Sequence, residues 1–136
     1  GEMTTAFVLK VLVHGKIAFF ASVLASLSGQ EEFRIKAQLA HGRASILSAL
    51  LKRCGFTDAV SGLMLRGLDC WRAVANGKLN AGPQEIARMM LQHFNAAETT
   101  PAFAHGNDDL VALIRSIYLE TIRENGRRHA EAIKAA

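Results

Sequence analysis

The chain has 136 residues, half of them apolar, with a formal net charge of +4. That length fits one domain with a real core, and the apolar content excludes an intrinsically disordered chain. Only two residues are proline, so helices can run with few forced breaks.

The first predicted helix is capped by Thr4 or Thr5 and runs to about His14. Phe7, Val8, Leu9, Val11, Leu12 and Val13 make it apolar on nearly every side, so it belongs inside a structure. Gly15 closes it. A second helix runs from about Lys16 to Ser28, with Ile17, Phe20, Val23, Leu24 and Leu27 at helical spacing. The near absence of residues between the two predicts a tight helical hairpin. A short third helix covers roughly Glu31 to Ala40, with Phe33, Ala37 and Ala40 expected inward, and His41-Gly42 ends it. The fourth covers Ala44 to Arg53, with Ile46, Leu47, Leu50 and Leu51 inward. Lys52 and Arg53 sit at its carboxyl end, where positive charge suits the helix dipole.

Thr57 or Asp58 caps a long fifth helix that ends near Asn76-Gly77. Val60, Met64, Leu68, Trp71 and Val74 trace its stripe, and Gly62 and Gly67 mark close helix crossings. Gly82-Pro83 opens a sixth helix with Ile86, Met89, Met90, His93 and Phe94 inward. Residues Asn95 to Gly106 read as a loop. Asn107 caps the last helix, whose stripe runs Leu110, Leu113, Ile114, Ile117, Tyr118 and Ile122. Beyond it the tail is expected to fray, with Glu124–Arg128 and Arg127–Glu131 spaced for ion pairs. No stretch alternates as a strand would. The fold class is therefore all-α: an irregular bundle of about seven helices, or a short stack of helical hairpins.

Several classes of chemistry lack their residues. There is no glycine-rich phosphate loop and no GxSxG elbow. His14, His41, His93, His105 and His129 are scattered without metal-ligand spacing, so no metal and no cofactor is expected. Cys54 and Cys70 form no CxxC pair and read as small buried hydrophobes in a reduced, cytoplasmic chain. The most apolar run, Ala6 to Val13, contains Lys10 and is too short to span a bilayer, so no membrane partner is expected. Gly1 reads as a remnant of tag removal, so the chain is expected to be a carboxyl-terminal fragment of a longer protein.

The string Leu9-Lys10-Val11-Leu12, Gly15-Lys16-Ile17-Ala18-Phe19-Phe20, Leu24-Ala25-Ser26-Leu27-Ser28-Gly29, followed by Leu47, Leu50, Leu51, Lys52, Arg53, Cys54, Gly55 and Phe56, stands out. It resembles the alphaproteobacterial domain-of-unknown-function family 2336, chiefly over Thr4 to Trp71. The resemblance implies a longer bacterial helical protein with helical pairs upstream and no established activity. The family's acidic residue after the hairpin glycine is replaced here by Lys16.

Two functional expectations follow. The first is a non-enzymatic module that binds another protein or a second copy of itself. Its surface is the outer side of the first helix pair around Phe7, Val11 and Phe19, with Trp71 as an interface anchor. The second is nucleic-acid binding. From Gly1 to Cys54 seven basic residues face three acidic ones, whereas the remainder carries nine of each. Arg34, Lys36, Arg43, Lys52 and Arg53 are the candidate anion contacts, and Phe33 to Leu51 reads as a helix-turn-helix with Ser45 and Ser48 near bases. Its small residue and turn glycine, Ala37 and Gly42, are five apart instead of the usual four.

Overall fold

The computed structural model describes residues 2–97 and 108–135, with side chains described for 5–93 and 109–127. Among these residues the chain forms seven helices and no strand: α1 (Glu2–Val13), α2 (Ile17–Ser28), α3 (Glu32–His41), α4 (Ala44–Arg53), α5 (Asp58–Ala75), α6 (Pro83–Ala97) and α7 (Asp108–Ala135). They assemble into an irregular all-α bundle.

The apolar first helix ends up where its composition demands. Val8, Leu9, Leu12 and Val13 of α1 are fully buried, because α2, α5, α6 and α7 all pack against that helix. Helix α1 begins at Glu2, so Thr5 lies within it and does not cap it. At the other end Gly15 adopts φ +72°, a conformation open to glycine at no steric cost, and turns the chain into α2.

Helix α5 packs against α1, α4 and α6. Its Thr57 cap accepts a 3.3 Å hydrogen bond from the Val60 N–H. Gly67 lets α1 and α6 close on it: a Cβ there would stand 2.9 Å from Met90 Sδ and 3.0 Å from Leu12 Cδ2. Against α5, helix α6 runs antiparallel, since Gly62 faces His93 while Cys70 faces Met89. Helix α7 then packs on α6 and α1 through Leu110, Ile114 and Ile117.

Four expectations about buried faces are corrected. On α3 the inward residues are Ile35 and Leu39. Phe33 is 80% exposed, and Ala37 and Ala40 face out with it. On α4 Leu47, Leu50 and Leu51 carry the contact while Ile46 is exposed. On α7 the stripe continues through Thr121, not Ile122. The Thr121 hydroxyl donates to Tyr118 O at 2.6 Å, which satisfies its donor inside the core. Val11 of α1 is only 7% exposed and belongs to the core.

The helical ends differ as well. Helix α6 continues to Ala97, past the expected loop start at Asn95, and α7 continues as helix to Ala135. Glu124 pairs with His14, while the side chains of its expected partner Arg128 and of Glu131 lie outside the described residues. Most of the expected loop, the Asn107 cap, His105 and the side chains of Phe94 and His129 lie outside them too. No helix among the described residues is long and apolar enough to cross a membrane.

Candidate interaction surface

Helix periodicity separates the two phenylalanines of α2. Phe20 points inward with Ala21 and Leu24, and Phe19, about 100° around the helix, points out. The same separation on α1 leaves Phe7 outside its buried face. The hairpin turn brings the two outward rings together. Their centroids lie 5.7 Å apart at an interplanar angle of 77°, an edge-to-face arrangement. Phe7 is 50% and Phe19 49% exposed. Two of the expected surface residues are therefore one cluster, and the third, Val11, is not part of it.

Trp71, expected as an interface anchor, is held from within the fold. Its Nε1–H donates to Leu12 O at 2.6 Å, and its ring lies 3.0 Å from where a Cβ on Gly15 would stand. It is a half-buried internal brace under the α1–α2 corner. Its neighbour Arg72, which sequence reasoning missed, reaches the carboxyl end of α3. Nε donates to Leu39 O at 2.7 Å, Nη2 to Gln38 O at 3.0 Å and Nη1 to Gly42 O at 3.1 Å. In sequence it is only a cation one position from the stripe of α5, which does not indicate the carbonyls it reaches.

Two of the five candidate anion contacts are engaged in ion pairs. Lys36 is paired with Glu32 at 3.3 Å and Lys52 with Asp58 at 3.1 Å. Exposed pairs of this kind add little stability, but they neutralise two of the five cations. The Ser22 hydroxyl donates to Glu32 at 2.6 Å, and this bond, with Lys36, holds the Glu32 carboxyl below its usual range. Arg34, Arg43 and Arg53 are exposed on α3, at the start of α4 and at the end of α4.

The described residues assemble no group of three or more potential metal ligands. A cavity of about 10 Å³ lies among Phe20, Leu39, Leu47, Leu51, Met64 and Leu68. It has room for one water but offers it no polar partner. Both cysteines are free. Cys54 Sγ donates to Leu24 O at 3.6 Å, and Cys70 Sγ lies 3.8 Å from Met89 Sδ. Burial pushes both thiols up, against the opposing pull of Arg53 and Arg66 respectively. Since the thiolate is the reactive form, both should react with a disulfide reagent at pH 8 more than about tenfold slower in the folded than in the urea-unfolded protein. Equal rates would refute the burial argument.

No family model, curated protein or solved structure matches the chain.

Proposed function

We propose that this is a non-catalytic helical interaction module, and that the edge-to-face Phe7–Phe19 pair is the centre of its binding surface. The observation that supports the reading most is that two large rings stand half-exposed together, outside the most apolar helix pair. Each ring limits the other's freedom, so little side-chain entropy remains to be lost on binding. A flat apolar patch on a helical hairpin suits the apolar face of a partner helix, including one from a second copy of this chain. Membership of family 2336 and a cytoplasmic location belong to the same proposal. The first rests on the Leu9–Gly29 and Leu47–Phe56 strings, the second on the two unpaired thiols.

Phe7→Asp and Phe19→Asp should leave the helical circular dichroism unchanged, because neither ring fills the core. Each should abolish concentration-dependent association in sedimentation experiments. A photo-crosslinker at position 19 should give a discrete adduct in cells that Phe7→Asp removes. Folded variants with unaltered association and an unaltered adduct would overturn the reading. Binding of a labelled duplex that fades steeply with salt, and that Arg34→Glu or Arg43→Glu weakens, would instead establish the nucleic-acid alternative.

A further inference from the structure

Helix α7 is joined to α1 by two rungs of charge. Lys10 Nζ lies 3.2 Å from Glu120 Oε2, and His14 Nε2 lies 3.1 Å from Glu124 Oε2. The residues advance together along both chains, so the helices run parallel here and each rung is one helical turn from the other. The second ring nitrogen of His14 is also engaged: Nδ1 lies 2.8 Å from Lys10 O.

The chemistry of those two partners fixes what the imidazole must carry. A peptide carbonyl and an ionised carboxylate can only accept, and a neutral imidazole has a single N–H. Neutral His14 can therefore satisfy one of the two contacts, and its other nitrogen then turns a lone pair toward an oxygen. Only the imidazolium donates to both. We propose that His14 is a proton-operated clasp that holds the second half of α7 against α1 and releases it as the pH rises.

The surrounding groups set the balance. Glu120 and Glu124 face the clasp from α7, with Arg127 one turn beyond Glu124. Lys10 lies on its own helix, already engaged by Glu120, and Lys16 follows at the start of α2. Helix α5 presents the uncharged Trp71 at the adjoining Gly15, and α6 the uncharged Gln84, which accepts from Asn125 Nδ2 at 2.6 Å. The two acceptors favour protonated His14 in the docked state, so docking is favoured as the pH falls and weakened as it rises.

Amide exchange over residues 120–127, corrected for intrinsic rates, tests this between pH 5.5 and 8. In the wild-type chain protection should fall at least about threefold across that range, and the ¹⁵N shifts of His14 should show both ring nitrogens protonated at the acid end. In His14→Gln and Glu124→Gln the corrected profile should be flat. A merely structural contact would change the level of protection and leave its pH dependence alone. A flat wild-type profile, or a pH dependence that survives in His14→Gln, would overturn the proposal.

Discussion

Arg72→Ala is expected to lower the folding free energy by about 3 kcal/mol and to loosen α3 before the rest of the bundle. Helix α3 has ten residues and buries only Ile35 and Leu39. A helix that short is marginal in water and depends on tertiary contacts. At its carboxyl end the Gly42 N–H already donates to Gln38 O, and Arg72 supplies further donors from α5 to Gln38 O, Leu39 O and Gly42 O. A hydrogen bond from a charged donor contributes roughly 1.5–3 kcal/mol, and the cation also meets the negative end of the helix dipole. The three bonds do not add in full, because water can reach these carbonyls once the side chain is gone. Arg72→Lys should recover less than half of the loss, since one ammonium cannot reproduce a planar fork. Urea denaturation gives the total, and amide exchange should show the largest loss of protection over residues 35–42. A cost below about 0.5 kcal/mol would mean that α3 is held by its apolar face alone.

That dependence also explains where sequence reading succeeded and where it did not. Helix α4 was legible to the residue, from Ala44 to Arg53. Its glycines lie just outside both ends, and its basic pair marks the last turn. The face of α3 was misread because Phe33 is the largest apolar side chain in that segment, and size was allowed to outweigh spacing. Ile35 and Leu39, four apart, form the stripe that reaches the core. Thr121 was passed over for Ile122 on the same ground of hydrophobicity. The register set by Ile114 and Ile117 returns to 121, and a hydroxyl that bonds its own helix can be buried there. In the candidate surface, Phe19 was legible because it sits off the clear stripe of α2. Val11 was not, because on a helix apolar all round no residue type distinguishes inside from outside. Arg72 and the His14–Glu124 rung link residues 30 or more positions apart, and a single sequence carries no local trace of such pairings.

Trp71→Ala is expected to destabilise the fold by about 3 kcal/mol, while Trp71→Phe should cost about 1 kcal/mol. The ring fills the space above Gly15, which has no side chain and needs positive φ to turn α1 into α2. Removing it leaves a cavity at that corner. It also removes one of the two donors to Leu12 O, the other being the Gly15 N–H at 3.0 Å. Phenylalanine keeps most of the ring and loses only the indole donor, which separates packing from hydrogen bonding. Since this is the sole tryptophan, its emission in the wild-type chain reports directly on whether the corner is closed. The same pair of variants tells a brace from a contact residue. If Trp71 supports the hairpin and touches no partner, Trp71→Phe should associate as the wild type does, and Trp71→Ala should lose association only in proportion to its loss of folding. A fully folded Trp71→Phe that fails to associate would move the binding surface from the phenylalanine pair to the tryptophan side of the hairpin.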